Sequence, residues 1–79
     1  MKYHPVRVWL LLHGKSLAWL SGVAGIEPVR LTRLTHLDAT MRRTMSSEEA
    51  DRIATATGLS AAQIFGPDVE LTTVNIDAV

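Results

Sequence analysis

A single glycine between two short helical patterns is the feature that most constrains how this 79-residue chain can fold. Before it, four residues recur at the i, i+3, i+4 and i+7 spacing of one helix face: Leu17, Leu20, Ser21 and Ala24. Ser16 is placed to cap the start of this helix, and Gly25 to end it in the left-handed conformation. Ile26 then returns toward the core. The pattern predicts a helix closed by a tight turn.

A second helix is expected to begin directly after that turn. Pro28 suits its first position, because the N–H that proline lacks would have no partner within the helix there. Leu31 and Leu34 are expected to face inward. The remaining residues form an outer face: Pro28, Val29, Thr32, Arg33 and His36. Two helices joined by a short glycine-containing turn form a helix-turn-helix.

The same residues resemble the phage-repressor and Cro type of helix-turn-helix protein, also called Xre. The resemblance is carried by Gly14-Lys15-Ser16, Leu20-Ser21 and Gly25-Ile26, and downstream by EEADRIATATGLSAAQIFG, residues 48 to 66. It covers residues 6 to 66. It implies an all-α fold: a five-helix lambda-repressor-like domain over residues 1–66, followed by a C-terminal β-strand tail over residues 67–79.

The closing helices of that domain have clear start signals. Ser46 with Glu49, and Ser60 with Gln63, are spaced as capping boxes. The first of these helices should end at Gly58. Its inner stripe is Ala50, Ile53, Ala54 and Thr57. In the second helix, Ile64 and Phe65 are expected to return to the core.

The start of the chain predicts a short leader and an apolar first helix. The leader is residues 1–5, and the helix runs from about residue 6 to residue 13, with Val6 and Trp9 in the core. More apolar side chains follow than one helix face can bury: Val8, Leu10, Leu11 and Leu12. Together with Trp19 and Val23 they would form an exposed patch that binds a protein partner. The alternative is that the small domain wraps most of this helix.

The tail differs from the rest of the chain, since β-branched residues alternate with polar ones and predict a strand. A lone strand has unpaired edges, so we expect it to pair with the same strand of a second copy in a homodimer. Its dimerisation residues would be Val69, Leu71, Val74 and Ile76. The alternative is a tail folded back on its own domain.

The net charge of zero conceals a division along the chain. Residues 1–45 hold seven Lys or Arg against two Asp or Glu, whereas residues 46–79 hold one against six. The half with the helix-turn-helix is therefore basic, which is typical of a surface that faces a polyanion. Chance clustering in a short chain is the alternative.

The resemblance implies sequence-specific binding of double-stranded DNA, with residues 28–36 in the major groove. Arg33 is the candidate base reader, because a guanidinium donates two hydrogen bonds to guanine. Thr32 and Val29 would contact a thymine methyl, and His36 a base edge or a phosphate. The candidate phosphate contacts are Lys15, Ser16, Arg30, Arg42 and Arg43. The alternative is a solvated helix charge at Arg33 and an exposed loop at Arg42 and Arg43.

Three departures from the family pattern affect individual contacts. Leu17 cannot form the hydrogen bond of the glutamine that is frequent at its position in the family. Glu27 replaces a serine or threonine cap, and its carboxylate is unfavourable near phosphate unless it pairs with Arg30 or reads a cytosine amine. The loop at residues 37–45 is longer than usual.

Other classes of function lack support in the sequence. The chain has no cysteine for disulfides or thiolate metal sites, and its histidines lack metal-ligand spacing. No apolar run approaches the roughly 18 residues of a membrane span. We therefore expect a cytoplasmic, nucleoid-associated protein without a cofactor, a metal or enzymatic activity. The family resemblance implies a transcriptional regulator, either a phage or prophage repressor or an antitoxin. The alternative is a helix-turn-helix scaffold that binds and inhibits another protein.

Overall fold

Five α-helices and a small antiparallel sheet make up the computed structural model, which describes residues 2–71. The helices are α1 (Pro5–Leu12), α2 (Leu17–Ala24), α3 (Pro28–Leu34), α4 (Ser47–Thr57) and α5 (Ala61–Ile64), and the strands are β1 (Lys2–Tyr3) and β2 (Val69–Glu70). The expectation of a mainly helical, five-helix fold with a C-terminal β element is therefore confirmed. Within this range no helix is long and apolar enough to cross a membrane.

The helix boundaries follow from local capping chemistry. The hydroxyl of Ser16 accepts a hydrogen bond from the backbone N–H of Trp19 at 3.0 Å. Ser46 and Ser60 each open a complete capping box, in α4 and α5 respectively. Helix α2 ends at Gly25, whose φ is +67°, a left-handed conformation that costs a glycine little. The predicted starts of α2, α4 and α5 and the predicted ends of α2 and α4 are thus confirmed.

The core lies where α2 packs against α3 and α4, and α5 packs against α4 and α1. Leu20, Leu31 and Ile53 are fully buried at its centre. Full burial of one such side chain contributes about 1.5–3 kcal/mol. The side chains of the cluster come from every α-helix, from the turn between α2 and α3 and from the loop before α4: Val6, Leu10, Leu20, Ala24, Ile26, Leu31, Leu34, Met45, Ala50, Ile53 and Ile64.

Two expectations about apolar side chains need correction. Val8 and Leu10 are buried, because α1 packs against α5 and contributes to the core, so fewer of the expected patch residues are exposed. Leu11, Leu12 and Val23 remain exposed. The sequence predicts Phe65 in the core, but this residue is 57% exposed, since α5 ends at Ile64 and the Phe65 side chain lies on the outer side.

The tail is paired within its own chain over the residues that the structure describes. Strand β2 runs antiparallel to β1, with Tyr3 opposite Val69 and Lys2 opposite Glu70. The expected leader is thus a strand, and the expectation of a lone strand is wrong at residues 69–70. Val74 and Ile76, which complete the proposed dimerisation strand, lie outside the described residues.

Candidate nucleic-acid interface

The turn between α2 and α3 is held by two hydrogen bonds that fix the position of α3. The Ser21 hydroxyl donates to the Ile26 carbonyl at 2.5 Å. Arg52, on α4, donates to the Gly25 carbonyl at 3.2 Å. This contact places a cation at the C-terminal end of α2, where the helix dipole is negative. Helix α3 then begins with Pro28 at its first position. The orientation of α3 is therefore set by both neighbouring helices.

Helix α3 buries one face and exposes the other. Leu31 and Leu34 anchor it in the core, as expected. On the opposite side Val29 is 53% exposed, and Thr32 and Arg33 are exposed as well. The helix ends at Leu34, earlier than the expected His36. The predicted outer face is confirmed from residue 28 to residue 33.

Arg33 is the free cation of this face. Among residues 2–71 its guanidinium forms neither a hydrogen bond nor an ion pair. The Thr32 hydroxyl donates to the Pro28 carbonyl at 3.0 Å, so its polar atom is engaged within the helix while the residue stays exposed. A free guanidinium beside the exposed apolar surface of Val29 matches what guanine and the thymine methyl group offer in a major groove.

The loop after α3 brings a second free cation to the same region. The backbone N–H of Arg43 donates to the Arg33 carbonyl at 3.2 Å, which docks the loop on the end of α3. The Arg43 side chain is exposed, and its guanidinium has no partner within the described range. Two unpaired arginines therefore emerge from neighbouring backbone positions although they are well separated in sequence.

Arg30 is engaged within the protein rather than free. Its Nε and Nη2 donate to the two carboxylate oxygens of Glu49, each at 2.8 Å, and Nη2 also reaches the Thr44 carbonyl at 3.3 Å. The hydrogen bond from Arg30 is the main cause that lowers the pKa of Glu49 to about 2. The Arg30 side chain is still 44% exposed, so a phosphate contact would compete with this ion pair.

Arg42 is more buried than Arg30, and its guanidinium is engaged in an ion pair within the protein. It forms a two-point ion pair with Asp68, at 2.6 and 3.0 Å, and its Nε donates to the His36 carbonyl at 2.7 Å. Its side chain is only 17% exposed. Such a bidentate pair is strong and geometrically specific, so Arg42 connects the loop to the segment before β2. This role differs from the phosphate contact expected from the sequence.

The remaining expected DNA contacts, Lys15, Ser16 and His36, differ in how far their polar groups are already engaged within the protein. Lys15 is exposed, with its ammonium nitrogen 5.1 Å from the centre of the Trp19 ring, within the range of a cation–π interaction. The Ser16 hydroxyl is used as the cap of α2. His36 is half-buried, and its Nδ1 accepts a hydrogen bond from the backbone N–H of Asp38 at 3.0 Å.

The sequence does not reveal which arginines are paired with a carboxylate within the protein and which are unpaired. The sequence predicts only a capping role for Glu49, whose pairing with Arg30 joins residues 19 positions apart. It predicts no role for Asp68, which lies 26 positions from Arg42. Pairs this distant leave no spacing signal in a single sequence.

Comparison of the chain with models of protein families, with curated proteins and with solved structures gave no match. In the described part of the chain, no three His, Asp or Glu side chains are grouped so that they could hold a metal ion.

Proposed function

We propose that this protein binds double-stranded DNA in a sequence-specific manner and regulates transcription. In this proposal the exposed face of α3 enters the major groove, Arg33 reads guanine and Val29 packs on a thymine methyl group. Arg43 and Lys15 contact phosphates and contribute salt-dependent affinity. Two copies would place their α3 helices about 34 Å apart on a two-fold symmetric operator.

The observation that carries the proposal is the state of Arg33. Arg30, Arg42 and Arg52 each form an ion pair with a carboxylate, whereas Arg33, in the last turn of α3, stays unpaired on the exposed face of that helix. An arginine that forms an ion pair within the protein contributes to the stability of the fold, which explains its presence. The unpaired Arg33 lies on a helix that other residues anchor, so its guanidinium is available to an external ligand.

A second candidate function is supported by a separate feature. A groove of about 420 Å³ runs between α1 and α5, with Val8, Trp9 and Leu59 in its lining, and exposed Leu12 at its border. Apolar surface of this kind suits a protein partner. In that case the helix-turn-helix would be a scaffold, and the protein would act by binding another protein.

The test is binding of the full chain to duplex DNA, selected from random or genomic fragments, as a function of salt. The regulator predicts a selected sequence and an affinity that falls steeply between low and moderate salt. Arg33→Ala should reduce discrimination at a guanine by about 1–3 kcal/mol. Lys2→Ala removes a positive charge from β1, outside the helix-turn-helix, and it should retain the sequence preference.

Two results would contradict the proposal that the protein is a DNA-binding regulator. No enrichment over random duplexes, or an Arg33→Ala variant with the selectivity of the parent protein, would contradict it. Loss of partner binding in Leu12→Ser, without any effect on DNA, would support the interaction module instead.

A further inference from the structure

A second site lies where the start of α1, the loop after α3 and the end of α5 meet. This pocket has a volume of about 260 Å³. Its polar wall is formed by His4, Arg42, Arg43 and Thr44, and the ring of Phe65 forms part of its apolar wall. Three residues with nitrogen-bearing side chains, His4, Arg42 and Arg43, thus line one small cavity, and among the described residues that line it there is no Asp or Glu.

The position of the proton on the His4 ring follows from the way this residue caps α1. Its Nδ1 accepts a hydrogen bond from the backbone N–H of Val6 at 3.1 Å, which caps α1. The neutral ring must therefore carry its proton on Nε2, where it is a donor. Burial lowers the pKa of His4 to about 4, with Arg42 and Arg7 acting in the same direction and Asp68 opposing them. At neutral pH the ring is an uncharged donor in positive surroundings.

The two arginines contribute in different ways. Arg42 uses three of its five N–H groups, on Asp68 and the His36 carbonyl, so its guanidinium is held in place with two donors left over. Arg43 has no side-chain partner in residues 2–71 and is free to close over a ligand. Asp68 balances the charge of Arg42, so Arg43 supplies the uncompensated positive charge.

Phe65 gives a second, independent indication. The core does not need its ring, which is 57% exposed directly beside the cations. A phosphate alone would leave the ring in water, whereas a nucleotide presents a planar base or a sugar next to its phosphate. Stacking of a base on an aromatic ring is a recurring element of nucleotide recognition.

We propose that this pocket binds a nucleotide phosphate, with Arg43 and the Nε2–H of His4 donating to its oxygens and Phe65 packing against the attached base or sugar. The nucleotide is either a free mononucleotide or one unit of a DNA backbone. The proposal does not depend on α3 entering the major groove, because binding is measured with free nucleotides in the absence of DNA.

The experiment follows the ring signals of His4 in the ¹⁵N-labelled full chain during separate titrations with AMP, inorganic phosphate and a short duplex. We expect a saturable shift with AMP, weaker binding of inorganic phosphate, and an increase of the His4 pKa when the site is filled. A shift with AMP alone identifies a free nucleotide as the source. Shifts with both AMP and the duplex would show that the pocket also binds a phosphate of the DNA backbone.

Matched variants separate the pocket from unspecific attraction. Arg43→Ala should weaken AMP binding about tenfold, the effect of losing a hydrogen bond to a charged group. His4→Asn retains a side chain that caps helices well but lacks the Nε2–H donor, and should weaken binding similarly. Arg52→Ala, which is absent from the pocket lining, should bind AMP like the parent protein.

Two results would overturn the proposal. One is the absence of a saturable His4 shift with AMP at millimolar concentration, and the other is an unchanged AMP affinity in Arg43→Ala. The Arg43 side chain is exposed, so its removal leaves the fold intact and the second result is always measurable. Failure of the DNA-binding proposal would appear separately, as AMP binding without any selected duplex.

Discussion

Glu49 accepts hydrogen bonds from both Nε and Nη2 of Arg30, at 2.8 Å each, while its Oε1 also accepts from the backbone N–H of Ser46 at 3.0 Å. One carboxylate therefore completes the capping box of α4 and attaches α3 to the start of that helix. The helix that carries Arg33 is held from its N-terminal half, and the Arg33 side chain has no part in that attachment.

Glu49→Gln should lower the free energy of unfolding at neutral pH. Glutamine preserves the capping box but removes the charge that Arg30 pairs with. The pKa of Glu49 is depressed from 4.5 to about 2, so its contribution is present above the unfolded value and lost as the pH falls through this window. Urea unfolding of both proteins at several pH values should show the difference shrinking as the pH falls to the folded-state pKa. A constant difference would contradict the ion pair as its source.

The free energy of unfolding should also depend on pH through His4, in a higher pH range than through Glu49. Its pKa is lowered from 6.5 to about 4, so the unfolded chain binds more protons between these values. Stability is complete above the unfolded pKa and should fall as the pH decreases toward the folded one, by about 3 kcal/mol. The charged groups that influence the ring are Arg42, Asp68 and Arg7.

The control for this dependence is His4→Asn, which caps α1 without titrating. Denaturation curves at pH 7 and pH 4 should show a smaller pH effect in the variant than in the parent protein. Equal pH effects in the two proteins would mean that other groups cause the loss.

The same substitution should have opposite effects at two glycines of the α2 region. Gly25 has a φ of +67°. Because an L side chain is strained in this conformation, Gly25→Ala should destabilise the protein by about 1 kcal/mol. Gly22 lies inside α2 with open space around the position of a Cβ. Gly22→Ala should therefore stabilise the protein by about 0.5–1 kcal/mol. Thermal unfolding measures both, and a stabilising Gly25→Ala would exclude the left-handed turn.

Arg33→Lys tests how the proposed base reader works. Lysine keeps the positive charge but lacks the planar, two-point donor geometry of a guanidinium. We expect the salt dependence of DNA binding to persist while preference for guanine at one position declines. Competition between the selected duplex and a duplex with that base pair changed provides the measurement, and an unaltered preference would assign the readout to another residue.

Features that depend on local chemistry could be predicted from the sequence. Ser46 and Glu49 are three residues apart, and the hydrogen bonds between them need no other part of the fold. Gly25 follows the last apolar position of its helix, and only the turn determines its conformation. The inward faces of the helices follow from the same local periodicity, as Leu31 and Leu34 show.

Features that depend on contacts between distant segments could not be predicted. Whether Arg42 faces a phosphate or a carboxylate depends on Asp68, which the loop meets only after the chain has folded. Phe65 belongs to an apolar pair with Ile64, and only the length of α5 decides which of the two is buried. The pairing of Tyr3 with Val69 closes the two ends of the described chain, and neither segment alone has a distinctive strand length.

Adjacent arginines in the loop after α3 face opposite environments. The backbone at Arg42 is extended, with φ −71° and ψ 141°. Arg42 is largely buried against Asp68, whereas the side chain of Arg43 is exposed. Deleting one residue upstream, between 37 and 41, would move Arg43 toward the place of Arg42, so the loop should tolerate many substitutions but not a change of length by one.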